Sequence, residues 1–371
     1  MQYGTRCSLA FVFIRALFKF FVSATLVGFL LYGSLLAAPQ PSTMKRTADS
    51  VGKPLLIYFV DVEGGQATLF VAPNVDSLLI DTGWPENGGR DADRIVAAAN
   101  DAGIHKIDHV LITHFHTDHV GGAPQLASRF AVGSFIDHGD NRESDAAATV
   151  KGWNAYQELV TNGKHTRVTV KPGDILPVKG MQALVVSSDG EVLKRAVNGE
   201  VETNPACKNA DRFPADKTEN QRSLGVLVSF GKLKILDLGD LTRDRELDLM
   251  CPINQLGNVD IYIVSHHGWR DSGSAVLLNS IAPRIAIMDN GANKGGSPSA
   301  WDIVKQSPRL EDFWQLHFSE EGGAAHNAPS EFIANPEGPD SGEYLRLRAW
   351  EDGSFEVFNS RTRKAKHYPK K

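Results

Sequence analysis

Six consecutive residues, His114-Phe115-His116-Thr117-Asp118-His119, put four potential metal ligands into one short stretch, and Val120-Gly121-Gly122 follows at once. The preceding run, Asp108-His109-Val110-Leu111-Ile112-Thr113, is β-branched and apolar and reads as a buried strand. From Asp118 through Gly121-Gly122-Ala123-Pro124-Gln125-Leu126 the pattern becomes that of a helix start. The ligands therefore sit at the carboxyl end of a strand that hands over to a helix, which directs the chain toward an α/β architecture. In an extended stretch His114 and His116 point the same way and can hold one ion. Asp118 and His119, turned by the helix entry, can face a second. Imidazole and carboxylate together suit zinc or a similar divalent ion, with open positions left for water. The plainer reading, a polar loop with solvated histidines, is disfavoured by this density of ligands at a strand end.

Two further segments repeat the arrangement. Lys234-Ile235-Leu236-Asp237-Leu238-Gly239-Asp240 is an apolar strand that ends in Gly-Asp, where a carboxylate can bridge two cations with its two oxygens. Val259-Asp260-Ile261-Tyr262-Ile263-Val264-Ser265 is another buried strand, and it ends in His266-His267-Gly268. Three strands thus deliver ligands from their carboxyl ends.

With Asp81-Thr82-Gly83 after the strand Ser77 to Ile80, this order of motifs resembles the metallo-β-lactamase superfamily of binuclear metal hydrolases, over about Leu55 to Ile303. The resemblance is greatest to the branch that holds the hydrolase domain of DNA-uptake competence channel proteins and the phosphorylcholine esterases of cell walls. It rests on Asp61-Val62-Glu63-Gly64-Gly65-Gln66-Ala67, similar to the branch's Asp-Val-Gly-Gln-Gly-Asp-Ala, on Asn220 to Val228, similar to Asn-x-x-Ser-Leu-x-x-x-Leu, and on the double histidine. Glu63, Gly64 and Gln66 depart from the branch, as does Gly296-Ser297-Pro298 where Gly-His-Pro is common, and both departures weaken a nuclease reading.

The resemblance implies a four-layer αβ/βα sandwich as a single domain. It implies that His114 and His116 bind a first metal, that Asp118, His119 and His267 belong to a second, and that Asp240 bridges. Asp118 is then expected to orient the attacking water and His266 to protonate the leaving group. Asp81 is expected to hold the free ring N–H of a bound histidine, and Asn220 to stand behind the ligands or against the substrate. Many members supply another first-site histidine before the bridging Asp. Only His138 and His165 lie in that interval here. His138 either faces the site or is a loop residue, and His165, among polar neighbours, reads as exposed. Two zinc ions per chain are expected, with manganese the alternative, since both accept these ligands.

The N-terminus carries Arg6, Arg15 and Lys19 ahead of an apolar run from Phe20 to Leu36, with Ala37 and Ala38 behind it and no acidic residue before Asp49. Residues 1–38 read as an export signal, the protein being periplasmic or secreted. The run is short of the ~20 residues of a comfortable membrane span, so the alternative, an uncleaved membrane anchor, is secondary. Residues 39–52 read as a linker and 53–371 as the hydrolase domain, with a hairpin at about 344–358 around Asp352-Gly353. Export leaves Cys207 and Cys251, which either pair or remain two free thiols. Loss of the three N-terminal cations would take the formal net charge from −5 to −8, against tight binding to a long polyanion.

The basic tail, Arg361 to Lys366, reads as a solvated end. The loop Asn290 to Ser299 reads either as a flexible connector or as an anion site, with Ser297 as a helix cap, Pro298 in the first turn and backbone N–H groups facing the ligand. His317 and His326 read as surface residues, with the cleft rim as the alternative. The composite expectation is a metal-dependent hydrolase of a phosphodiester or related ester, from a small molecule or the cell envelope. A lactonase or β-lactamase, or a binding protein with a degenerate metal site, are the alternatives.

Overall fold

The computed structural model describes residues 52–162, 165–336 and 340–371. The export segment and nearly all of the linker expected from the sequence lie outside them. Two sheets face each other. The first has nine strands, in the spatial order Lys364–Tyr368, Phe355–Asn359, Leu345–Ala349, Leu55–Phe59, Thr68–Val71, Ser77–Ile80, Lys106–Leu111, Ala131–Asp137 and Thr166–Thr169. The second has eight: Ile333–Asn335, Asp312–His317, Ile285–Met288, Ile261–Ile263, Leu233–Asp237, Gly225–Phe230, Gln182–Ser188 and Glu191–Val192.

Side chains alternate across each strand, and the sequence uses both faces. Leu55, Ile57 and Phe59 point into the central core with Ile235, Ile261, Ile263, Ile285 and Ile287 from the opposite sheet. Tyr58 and Leu79 point outward, where helices Arg90–Asp101, Ala123–Arg129 and Ala147–Thr161 cover the first sheet. Leu236, Tyr262 and Met288 point outward under Arg243–Met250, Ala275–Ile281 and Pro298–Lys305. The result is the four-layer αβ/βα sandwich.

Half of each sheet is parallel, from Ser77–Ile80 to Thr166–Thr169 in the first and from Leu233–Asp237 to Ile333–Asn335 in the second. Parallel strands need crossover connections, so their carboxyl ends collect on one edge. Asp81, the 114–119 cluster, His138, Asp240, His266-His267 and Asp289 all follow such ends. The fold thereby gathers, from distant parts of the chain, the groups that carry chemistry.

Several expectations change. The tail is no loose end: Lys364–Tyr368 pairs antiparallel with Phe355–Asn359, and its lysines make it a charged edge strand. His165 is half-buried, its ring 5.4 Å from that of Phe135. His317 is buried because it ends a strand that the opposite sheet covers. Cys207 and Cys251 form a disulfide that closes a 44-residue separation and ties the 205–216 segment to the end of Arg243–Met250. Among the described residues, no helix is long and apolar enough to cross a membrane.

Candidate metal centre

Two residues beyond the strand Lys106–Leu111 stands Thr113, whose N–H and hydroxyl both donate to Asp81, at 2.8 and 2.7 Å. This fixes Asp81, and its Oδ2 in turn lies 2.6 Å from His119 Nδ1. A carboxylate on Nδ1 fixes the imidazole as the Nδ1–H tautomer and leaves a lone pair on Nε2. That Nε2 is 3.3 Å from Asp118 Oδ2, 3.3 Å from Asp240 Oδ2 and 3.2 Å from His267 Nε2. Asp118, His119, Asp240 and His267 are all buried, and one ligand atom of each lies within 4.8 Å of the others. Four lone-pair-bearing atoms converging away from water are mutually repulsive unless they share a cation.

The electrostatics make the same demand. Burial opposes the imidazolium of His119, yet Asp240, Asp118 and Asp81 hold its pKa well above the ordinary histidine value. Burial and Lys294 both work against a charged His267, but Asp240 and Asp289 lift it to about 8. Burial would also raise Asp240, and the histidines His119, His266 and His267 hold it far below the usual carboxylate range. The pocket is built for positive charge, and buried atoms left without hydrogen-bond partners, His114 Nε2 and Asp240 Oδ1 among them, fit a bound divalent ion.

His114 stands beside this group, its Nε2 3.8 Å from Asp240 Oδ2 and its Nδ1 3.0 Å from the Thr113 hydroxyl. Asp240 thus lies between His119 and His114, where a bridging carboxylate would be. His116 is turned differently: its Nε2 lies 2.8 Å from Glu143 Oε2, leaving Nδ1 as the ring nitrogen free for a metal. Glu143 is itself held by the Glu219 N–H at 2.9 Å. His138 is buried but spends Nε2 on Glu219, 2.9 Å away, and does not join the converging group. Asn220 has a buried Oδ1 with no partner, on the turn Glu219–Arg222 beside this wall.

His266 Nε2 is 3.4 Å from Asp240 Oδ2, and its side chain keeps partial access to solvent. His266 and His267 both adopt φ 54°, in the left-handed region, and Asp81 adopts φ 61°. Such backbones cost about 1–3 kcal/mol each and persist only where the surroundings hold them. Here they turn two adjacent imidazoles into the same cleft.

The loop after Ile285–Met288 differs from its expected form. The N–H groups of Gly296 and Ser297 donate to the carbonyls of His267 and Gly268, both at 2.9 Å, so they are not free for an anion. The Ser297 hydroxyl does not cap the helix Pro298–Lys305 but lies 3.4 Å from Glu321. The loop instead carries Lys294, whose ammonium pairs with Asp118. Lys294, Glu143 and Glu219 were not singled out from the sequence. A lone lysine in a glycine-rich loop after a parallel strand was the available signal, and the two glutamates gave none.

Asp61, Glu63 and His317 form a second acidic group at the adjoining edge. It is already paired: His317 Nε2 is 2.7 Å from Asp61 Oδ1, and Arg94 holds Asp61 Oδ2 at 2.9 Å. This group joins the two sheets.

The chain is 25% identical to ComE operon protein 3 of Bacillus subtilis over 199 residues, 52% of this chain and 21% of that protein. It is 25% identical to Recombination protein 2 of Haemophilus influenzae over 238 residues, 62% of this chain and 24% of that protein. The match therefore spans about a quarter or less of these curated relatives. Among solved structures, the metallo-beta-lactamase fold protein YhfI from Bacillus subtilis overlaps with a TM-score of 0.43 at 12% identity, covering 71% of this chain and 96% of that one. Residues 61–192 match the family model of the metallo-beta-lactamase superfamily.

Proposed function

We propose that the protein is an exported hydrolase that uses two divalent metal ions, zinc or manganese, to cleave a phosphodiester or a related ester. The observation that carries this reading is the convergence of Asp118, His119, Asp240 and His267 on one buried point with His114 alongside. His119, His267 and Asp118 would hold one ion, His114 through Nε2 and His116 through Nδ1 the other, with Asp240 shared. Ions held there supply Lewis acidity, lowering the pKa of water toward neutrality and polarising the scissile ester.

The chain's own groups do the rest. Asp118, with an oxygen already in the cleft, orients the attacking water. Burial keeps His266 below the ordinary histidine pKa, so a proton placed on it passes readily to a leaving group. Asp81 keeps His119 in the metal-binding tautomer, and Glu143 does the same for His116 from the opposite nitrogen.

The Cys207–Cys251 disulfide supports export, since cytosolic thiols are kept reduced. The negative net charge supports a small or cell-envelope ester over a long nucleic acid. The test is metal content of the purified protein together with hydrolysis of bis(p-nitrophenyl) phosphate by wild type and His116→Ala. About two ions per chain and activity lost in the variant are expected. Two ions with turnover only of lactones or β-lactams would replace the substrate class, and a metal-free, inactive protein would leave a binding role.

A further inference from the structure

The proposed reaction leaves one charged group at the centre unused. Lys294 Nζ donates to Asp118 Oδ2 and, at 2.8 Å, to the Gly64 carbonyl, and it lies 5.1 Å from the centre of the Trp84 ring. Among the described residues, no other lysine or arginine pairs with Asp118, Asp240 or Asp81. An ammonium has three protons. Two are directed at protein oxygens, which leaves a third, and the side chain remains about 35% exposed.

This position is built rather than incidental. The Gly291 N–H closes the loop onto the Lys294 carbonyl at 2.8 Å, and the Gly296 and Ser297 N–H groups anchor it to the backbone of His267 and Gly268. Gly295 has φ +81°, and a Cβ there would meet the His267 carbonyl oxygen at 2.1 Å. On the other side a Cβ at Gly64 would meet Lys294 Cβ at 2.9 Å. Ordering a long lysine side chain costs rotamer entropy, and here it is held between Asp118 and a glycine turn from the opposite sheet.

We propose that Lys294 is the substrate's anion clamp, a specificity-determining residue that binds a non-bridging oxygen of a phosphodiester while its other protons hold Asp118 and Gly64. The proposal rests on the hydrolase reading above and narrows its substrate class to anionic esters. A neutral lactone or ester needs no fixed cation at this place. An oxyanion next to the ions gains a charge-assisted hydrogen bond, with lysine acting as a point charge. The Trp84 ring faces the ammonium itself, 5.1 Å from Nζ, and adds a cation–π attraction that helps fix its place.

The test compares wild type, Lys294→Met, which keeps an unbranched stem of similar length without the charge, and Lys294→Arg, all as the metal-loaded full chain. Three readouts are taken: bound metal, the affinity for inorganic phosphate by calorimetry, and kcat and KM for bis(p-nitrophenyl) phosphate and for p-nitrophenyl acetate, the neutral control. In Lys294→Met the metal content is expected to stay the same, phosphate affinity to fall at least 10-fold, and KM for the diester to rise about 10- to 100-fold. Turnover of the acetate should fall by a clearly smaller factor than that of the diester, and Lys294→Arg should recover part of the loss. Equal losses on both substrates would overturn the clamp and make Lys294 a support of the metal ligands. An additional bound ion in Lys294→Met would also overturn it, making the ammonium a substitute for a metal. If wild type hydrolyses neither substrate, the hydrolase reading fails by itself, and unchanged phosphate affinity in Lys294→Met would still refute the clamp.

Discussion

Asp81 makes the dependence of the centre on single atoms concrete. One oxygen accepts the Thr113 N–H, while the other accepts the Thr113 hydroxyl and faces His119 Nδ1. Asparagine tolerates the left-handed backbone that Asp81 adopts. Asp81→Asn therefore keeps the turn while removing the charge. Its amide nitrogen would face His119 Nδ1, favour a lone pair there and move the ring proton to Nε2, the atom needed by the ion. Metal affinity is expected to fall about 10- to 100-fold, read by competition with a chromophoric chelator, with little change in the melting temperature of metal-free protein. Unchanged affinity would mean that Asp81 serves the turn alone. At this scale the sequence was readable where the candidate ligands are neighbours. His114, His116, Asp118 and His119 sit within six residues, whereas the partner of Lys294 lies 176 residues away and no local pattern marks such a pair.

The elements meet through pairs such as His317 and Asp61, which join the end of Asp312–His317 to the segment after Leu55–Phe59. Burial disfavours the His317 imidazolium, but Asp61 and Glu63 raise its pKa above the ordinary value. A histidine whose folded pKa is raised binds its proton more tightly in the folded state. Its contribution is full below the unfolded value of ~6.5 and is lost as pH rises through the folded value. His317→Gln should therefore cost more stability at pH 6 than at pH 9, by about 1–3 kcal/mol at the acid end, measured by urea unfolding at both values. A cost independent of pH would assign the loss to packing. The elements themselves were legible where alternation and turn residues are local: Ser77–Ile80 and the hairpin strands Leu345–Ala349 and Phe355–Asn359 follow their patterns. The pairing of that hairpin with Leu55–Phe59 was not, because alternation fixes which face is buried but not which strand lies alongside. The tail strand was hidden for a related reason. Its exposed lysines suit a solvated end and a sheet edge equally.

Over the whole molecule, the candidate centre lies where two sheets meet, and its converging side chains come from both. Asp118 and His119 follow a strand of the first sheet, and Asp240 and His267 follow strands of the second. An ion shared by these four would tie the sheets together at the edge where their carboxyl ends converge. Without it, two buried carboxylates and the imidazoles must rely on protons and on Lys294 for compensation. Because the unfolded chain does not assemble this set, metal at 1,000 times its dissociation constant would add about 4 kcal/mol to the stability. In a domain of this size that is roughly 4–8 °C. Excess chelator is therefore expected to lower the melting temperature by that amount, and added zinc to restore it. The two halves of the centre should respond differently. His267→Ala removes one of the four converging ligands and should abolish most of the metal-dependent shift. His116→Ala lies outside that group and should retain most of it while losing activity. The reverse order would place the tightly held ion at His114 and His116, and an absent shift in wild type would mean that the two sheets are held by their shared apolar core alone.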